Sequence, residues 1–398
     1  MPAYVSRFSC IGGECEDTCC GGWGIPVDQD SFLYYQSCLD PVLQPLIAKH
    51  VKRNSESNSH SNYGHLELTK DHCRCCGFLT DKKLCLIQER LGAKALSDTC
   101  ANYPRTISRF GDMHQMTLTL SCPEAARLAL LYSDAFDLVG QVQTVSQTSV
   151  SRIKSVNGLP LSAMDDVRTL VVQILRSQEI SLSNRLKLIG IFCERLTELL
   201  NQKRMDSLPQ LIQDQENDLE SGAAMASLTD HAELLDVQAQ IPALFFLGCR
   251  EGLPSPHLRR VLDEAAKGLG IGEGLPPDGP ALVRAYEQGL PRLNSALKAV
   301  PWLLEHYLLN EMLREYFPWA SGNPIQRYST FILRFAITRL LLVGRAAAQE
   351  TLLTPAELAE TIQVSCRHFL HDDHLTKKVE QSLRESDWNG LERLHSLL

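Results

Sequence analysis

The chain has 398 residues, of which 44% are hydrophobic, and its formal net charge is −8. A chain of this length and composition has room for two or three domains and can bury a large core without cross-links. Because the net charge is negative, the chain lacks the basic field that holds phosphates, which argues against nucleic acid as its main partner.

The opening residues MPAYVSRFSC include one basic residue and no long apolar run. A secretory signal peptide has a different pattern, so we expect a cytoplasmic protein in a reducing compartment. Disulfides are then not the expected use of its fourteen cysteines.

Eleven of the cysteines precede residue 123, and only three follow it. This asymmetry predicts two domains, and the helical patterns after residue 123 predict a mostly α protein. Residues 1–123 are expected to form a loop-rich, cysteine-cluster metal-binding domain, and residues 124–398 a larger all-helical domain that positions the substrate. The early thiols are Cys10, Cys15, Cys19, Cys20, Cys38, Cys73, Cys75, Cys76, Cys85, Cys100 and Cys122.

Three chemistries compete for these thiols. Structural zinc uses pairs of closely spaced ligands, and the doublets Cys19-Cys20 and Cys75-Cys76 do not reproduce that spacing. An iron–sulfur cluster accepts thiolates from distant loops, so it is the favoured interpretation. Redox-active thiols without a metal are the third alternative.

Helical patterns begin at residue 123. PEAARLALLYSDAFDLV starts with Pro123 at a helix-entry position, and in LSAMDDVRTLVVQIL we expect Ser162 to be the N-cap. Thr354 and Glu357 have the spacing of a capping box. No alternating strand pattern is evident after residue 125. Further helices are predicted near 180–202, 227–239, 256–267, 279–317, 324–350 and 374–397.

The most apolar segment, residues 330–348, is interrupted by Arg334, Arg339 and Arg345. Three arginines at this spacing do not suit a bilayer-spanning helix. We therefore predict a buried or partner-facing helix and disfavour peripheral membrane contact.

Four stretches carry a family resemblance: RFSCIGGECEDTCCGGW, CCGFLTDKKLCLIQERLG, LSDTCANYPR and TLSCPEAARLAL. They resemble the flagellin lysine-N-methylase family, within a wider group of cysteine-cluster proteins described as zinc- or iron-chelating. The pattern of that group has eight cysteines and leaves Cys38, Cys73 and Cys75 as extra. Its matching positions here, the predicted metal ligands, are Cys10, Cys15, Cys19, Cys20, Cys76, Cys85, Cys100 and Cys122.

The resemblance implies transfer of methyl groups from S-adenosylmethionine to lysine ε-amines of flagellin, with an iron–sulfur cluster, of the 4Fe–4S type, in the cysteine region. Cys15 and Cys19 have the first spacing of a radical S-adenosylmethionine motif, but the next thiol follows at once. GLGIGEG at 268–274 reads as an interhelical loop rather than a cofactor-binding turn. The S-adenosylmethionine site and the choice between a radical and a polar mechanism stay open.

Lysine methylation by a polar route needs a neutral amine, so a carboxylate or tyrosine should accept or shield its proton. Glu16, Asp17 and Tyr103 are the candidates for this catalytic role, and Arg105 is a candidate to offset thiolate charge. Two rival functions remain: a zinc-stabilised interaction module without catalysis, and a protein for thiol redox or metal handling.

Overall fold

The computed structural model describes residues 1–57, 59–70, 74–140, 150–226, 228, 234–247, 255–272, 278–319, 323–370, 381, 385 and 390–398. Helices account for most of the regular structure in these ranges, which confirms the mostly helical fold class.

The cysteine-rich part combines short helices with two small sheets. Its first sheet has the order β1-β3-β2 and is antiparallel, with Leu66 of β3 opposite both Ile25 and Val51. Its elements are α1 (Ala3–Arg7), β1 (Ile25–Val27), α2 (Gln29–Gln36), α3 (Leu43–His50), β2 (Val51–Arg53), β3 (Gly64–Leu66), α4 (Leu86–Leu91) and α5 (Asp98–Asn102).

The second sheet links the two halves of the chain. β4 (Arg105–Phe110) pairs antiparallel with β5 (Met113–Leu118) and parallel with β6 (Val150–Arg152). The expectation of no strand beyond residue 125 is therefore wrong for β6. This strand has three residues, and it pairs with a partner more than forty positions away, so no local alternation marks it.

A bundle of helices follows, with α15 at its centre. α15 packs against α8, α11, α12, α13 and α16, and most of its residues are buried, which confirms the predicted buried helix at 330–348. The helices are α6 (Pro123–Leu130), α7 (Leu161–Arg176), α8 (Leu182–Asn201), α9 (Leu208–Ser221), α10 (Ala223–Ala226), α11 (Leu235–Leu247), α12 (Pro256–Gly268), α13 (Gly279–Leu297), α14 (Leu303–Arg314), α15 (Pro324–Ala348), α16 (Pro355–Leu370) and α17 (Leu391–Ser396).

Helix ends agree with the local signals at two of three predicted sites. α6 begins at Pro123, and the Thr354–Glu357 capping box is present at α16, with Glu357 N–H donating to Thr354 Oγ1 over 3.3 Å. At α7 the predicted N-cap is wrong. Pro160 takes that position in an extended conformation, and Ser162 lies inside the helix.

Two predicted helices fall partly outside the described residues. Of the segment 227–239, residues 227 and 229–233 are outside, and α11 begins at Leu235. Of the segment 374–397, α17 covers Leu391–Ser396, and most of the earlier positions are outside.

Buried hydrophobic residues form two clusters. The larger unites the helical bundle with α1, β4 and β5, so it includes Tyr4 and Ile107. The smaller is built from the sheet β1-β3-β2 and its neighbouring helices, and Cys76 belongs to it. The predicted domain boundary at residue 123 stays a prediction.

Within the described ranges, the helices fall short of the combined length and apolarity that crossing a bilayer requires.

Candidate functional site

All eight predicted ligand cysteines are free thiols in the described part of the chain. Cys76 is buried, Cys10 is exposed, and the other six are partly buried. Of the three extra cysteines, Cys38 is a free thiol that packs against the smaller core, and Cys73 lies outside the described residues. Cys75 is disulfide-bonded, which departs from the expectation of reduced thiols throughout.

Backbone pairing brings the first cysteine segment against the second. Cys76 N–H donates to Cys20 O over 2.6 Å, and Gly21 forms an antiparallel bridge with Cys75. These bonds join positions more than fifty residues apart, and they place the two adjacent-cysteine doublets side by side.

Three later thiols are placed at short helices. Cys85 and Cys122 are the N-cap residues of α4 and α6, and Cys100 lies in the first turns of α5. Backbone N–H groups at a helix start stabilise a thiolate, but burial opposes this and dominates here. Burial raises the pKa of Cys100 and of Cys122 to about 12.

The thiols influence one another in two groups. After burial, the charges of Cys20, Cys85 and Cys100 contribute to raising the pKa of Cys76 to about 12. In the second group, Cys10 and Cys15 act in the same way on Cys122.

Cys19 and Cys20 connect these two groups. The Cys19 thiol donates a hydrogen bond to Cys20, which raises the pKa of Cys19 and lowers that of Cys20 to about 7. The charges of Cys100 in the first group and Cys122 in the second also contribute to raising the pKa of Cys19. With a pKa of about 7, a substantial fraction of the Cys20 thiol is ionised near neutral pH.

The donor chemistry of this region suits a thiophilic metal centre, since the groups are free, largely shielded thiols. The spatial arrangement of these thiols fits a metal centre less well than their chemistry does. Among the residues that the structure describes, no set of three or more Cys, His, Asp or Glu side chains has the arrangement needed to hold a metal ion. The thiols are neighbours without forming a closed coordination sphere.

Helix α16 fixes the cysteine segment to the bundle. Asp17 is buried, and its Oδ2 accepts from Arg367 Nε and from Gln363 Nε2, each over 3.0 Å. Arg367 Nη2 also donates to Thr18 O over 2.7 Å and to Gly21 O over 2.9 Å. One guanidinium therefore holds both ends of the segment that carries Cys19 and Cys20.

Gln363 and Arg367 were not predicted as site residues from the sequence. They lie four positions apart on α16, on one helix face, among apolar neighbours that are also buried. A polar pair within an otherwise apolar helix face was the available signal. Arg367 helps to lower the pKa of Cys20. The Arg105 guanidinium lies 5.2 Å from the ring centre of Phe8, and its role in offsetting thiolate charge stays a prediction.

Tyr103 is placed against the cysteine segment through Trp23. The two rings are 5.9 Å apart between centroids, and Trp23 Nε1 donates to Cys19 O over 2.8 Å. The Tyr103 hydroxyl lies 3.0 Å from Ser121 Oγ. Burial raises the pKa of Tyr103, so its hydroxyl stays protonated near neutral pH.

Glu16 differs from its neighbour Asp17 because it is partly exposed. Its Oε1 accepts from Arg127 Nη1 of α6 over 2.6 Å. Partial burial raises the pKa of Glu16, but the hydrogen bond from Arg127 helps to outweigh it, and the net pKa is lowered. The three catalytic candidates thus occupy different environments: Glu16 at the surface, Asp17 in a buried ion pair and Tyr103 in an apolar wall.

Comparisons with known proteins agree on one family. The model of the FliB lysine N-methylase C-terminal domain matches residues 168–397. A lysine-N-methylase of Salmonella typhimurium strain LT2 is 36% identical over 137 residues, which are 34% of this chain and 33% of that protein. The flagellar biosynthetic protein FliU of Salmonella muenchen is 34% identical over 151 residues, which are 38% of this chain and 87% of that protein.

A lysine-N-methylase of Salmonella choleraesuis strain SC-B67 is 35% identical over 137 residues, which are 34% of this chain and 33% of that protein. The alignments thus span about a third of the length of the two lysine-N-methylases. No solved structure matches the chain.

Proposed function

Because the chain belongs to the family of the FliB lysine N-methylase C-terminal domain, we propose that it is a methyltransferase that moves methyl groups from S-adenosylmethionine to lysine ε-amines of flagellin. The observation that carries this proposal is the family match over more than half of the chain. The names of two relatives, a lysine-N-methylase and a flagellar biosynthetic protein, support the reaction and the substrate.

A lysine ε-amine has a pKa near 10.4, so it arrives as an ammonium ion and must lose a proton before its lone pair can attack. Of the three candidates, Tyr103 is a poor base because its hydroxyl stays protonated, and Asp17 is already bound by Arg367. Glu16 is also bound by an arginine, Arg127, but unlike Asp17 it is partly exposed, so an incoming ammonium group can reach its ionised carboxylate. We therefore assign an ammonium-orienting role to Glu16.

We also propose that the thiol region holds an iron–sulfur cluster, of the 4Fe–4S type, with zinc as the alternative. Cys20, Cys76, Cys85 and Cys100 are the preferred ligands, since they interact with one another and share the smaller core. Cys10, Cys15, Cys19 and Cys122 are the remaining candidates. A bound cluster would supply one-electron chemistry, and the shielding by Trp23 and by the core would restrict access of water to it.

The test uses the full chain, purified without oxygen and incubated with S-adenosylmethionine and flagellin. We expect mass spectrometry to find additions of one or more methyl masses on flagellin lysines. The same preparation is analysed for iron, sulfide and zinc, and we expect iron with matching sulfide. Unmodified flagellin from a preparation with intact iron and sulfide would contradict the methylase. Zinc without iron and sulfide would instead favour the zinc-stabilised module.

A further inference from the structure

A cavity of about 170 Å³ lies between α6 and α16, next to the cysteine segment. A water molecule occupies about 30 Å³ in the liquid, so the space suits a side chain rather than one solvent molecule. The wall includes Pro123 and Ala126 from α6, and Ala356 from α16 lies exposed at its surface. Pro123 directly follows the predicted ligand Cys122, so the cavity adjoins the proposed site of chemistry.

The charged groups of the wall are mostly acidic. Glu16, Glu357 and Glu360 line the cavity, against a single guanidinium, that of Arg127. Arg127 binds Glu16, and two guanidinium groups bind Glu360: Arg345 Nη1, 2.9 Å from Glu360 Oε2, and Arg260, at Glu360 Oε1.

Glu357 has neutral hydrogen-bond donors instead. Its Oε2 accepts from Thr354 N–H and Oγ1 over 2.8 Å, and its Oε1 accepts from Gln349 Nε2 over 3.0 Å. Burial raises the pKa of Glu357, but these hydrogen bonds help to lower it overall, so the carboxylate is charged at neutral pH. Among the described residues, Glu357 is therefore the wall carboxylate whose hydrogen bonds come from neutral groups alone, and its charge can attract a cation.

A second and independent observation concerns Gln363, a wall residue that is only 1% exposed. Its Nε2 donates to Asp17 Oδ2 and to Ser121 O, but within the described residues its carbonyl Oε1 accepts no hydrogen bond. The neighbouring Asp17 Oδ1 is likewise a buried acceptor without a donor in the part of the chain that the structure describes. Buried acceptors are rarely left in this state, because their desolvation is then uncompensated.

We propose that this cavity binds the side chain of the substrate lysine, an inference that rests on the proposed methylase function. An ammonium group has three donors and no acceptor, so it can donate to Gln363 Oε1 and to the remaining lone pairs of the wall carboxylates. The aliphatic part of the lysine packs against Pro123, Ala126 and Ala356. The cavity thereby selects a cationic, unbranched side chain and presents it beside the thiols.

Two cavity variants test the site. Ala356→Arg places a bulky cation at an exposed position of the wall, and Glu16→Gln with Glu357→Gln removes two charges while keeping the shape. A glutamine at position 357 also preserves the capping box. The matched controls are Ser162→Arg, at an exposed position on α7, and Glu124→Gln, since Glu124 bonds to Arg127 and is not among the wall residues.

Binding of fluorescently labelled flagellin is measured at equilibrium, with thermal unfolding as a check on folding. We expect both cavity variants to bind about tenfold more weakly than the wild type, and the controls to bind within about twofold of it. Flagellin with acetylated lysines should bind the wild type as weakly as native flagellin binds the variants. Folded cavity variants that bind as tightly as the controls would overturn the proposed site.

A small probe separates this proposal from the function on which it rests. Nα-acetyl-lysine-N-methylamide carries one lysine side chain and no flagellin surface. Binding of the probe to wild type and its loss in Ala356→Arg would support the cavity even if flagellin is not methylated. Methylation of flagellin at wild-type rates by both cavity variants would overturn the cavity and leave the methylase standing.

Discussion

At the scale of single residues, Arg367 connects helix α16 to the cysteine segment. Its side chain is buried and binds the carboxylate of Asp17 together with the carbonyl groups of Thr18 and Gly21. It also helps to lower the pKa of Cys20. One side chain of the bundle thus fixes the path of the cysteine segment and also favours the thiolate form of Cys20.

Arg367→Met should release this segment. The substitution leaves Asp17 as a buried charge without its partner, and removing one member of a buried pair costs about 3–5 kcal/mol. We expect a lower free energy of unfolding in urea and faster alkylation of Cys19, followed by mass spectrometry. Cys19 is the reporter because losing Arg367 also raises the pKa of Cys20, which slows alkylation there.

Arg7→Met is the matched control, because Arg7 forms an ion pair with Asp134 at the surface. We expect little change in the unfolding free energy for this variant. Alkylation of Cys19 at an unchanged rate in Arg367→Met would show that other contacts hold the segment.

At the scale of elements, α12 and α15 approach each other so closely that two glycines are needed where they meet. A Cβ atom on Gly268 would lie 1.8 Å from Gly344 O, and one on Gly344 would lie 2.5 Å from Ala265 O. Neither position has space for a side chain, so the two backbones approach each other directly. This contact seats α12 against the central helix of the bundle.

Gly344→Ala should therefore destabilise the protein. In an isolated helix this change is stabilising by up to about 1 kcal/mol, but here the added methyl group overpacks the contact, at a cost of about 1–3 kcal/mol. The sign of the change in urea unfolding decides between the two effects. Gly140→Ala is the control, since no atom lies within 4 Å of its added Cβ; a stabilised Gly344→Ala would mean that the helices separate freely.

Elements were predictable from sequence where the signal is local. The capping box of Thr354 and Glu357 and the entry of α6 at Pro123 depend on neighbouring residues, and both were predicted. β6 and the meeting of Cys20 with Cys76 depend on pairing between distant segments. The cysteine pattern indicated which thiols to consider, but the polar partners on α16 follow only from how the helix packs.

At the scale of the whole molecule, the larger core contains a buried ionic cluster around Glu315. Its carboxylate binds Arg314 over 2.7 Å, Arg327 over 2.6 Å and Arg334. Burial raises the pKa of Glu315, but the three guanidinium groups outweigh it and lower the pKa to about 2. The cluster ties the end of α14 to α15.

This cluster predicts acid sensitivity of the entire fold. The folded pKa of Glu315 is below its ordinary value of 4.5, so its contribution is complete above that value and is lost as the pH falls toward about 2. The shift corresponds to a contribution on the order of 3 kcal/mol. Glu315→Gln should lower the unfolding free energy at pH 7 by about this amount and flatten its decrease between pH 5 and pH 2.

The comparison variant is Glu198→Gln, at an exposed position on α8, for which we expect the wild-type pH dependence. Urea unfolding at a series of pH values measures both variants. If Glu315→Gln and the wild type lose stability in parallel on acidification, the cluster is not the source of the acid sensitivity.

The attachment of α16 to the cysteine segment bears on how the chain can be divided. Residues 168–397 match the family model, yet Gln363 and Arg367 within that span bind Asp17, Gly21 and Ser121 outside it. Excising the matched span would strip an amide and a guanidinium of the groups that compensate their burial. Truncation boundaries for this protein should therefore be drawn from its contacts as well as from the span that matches the family model.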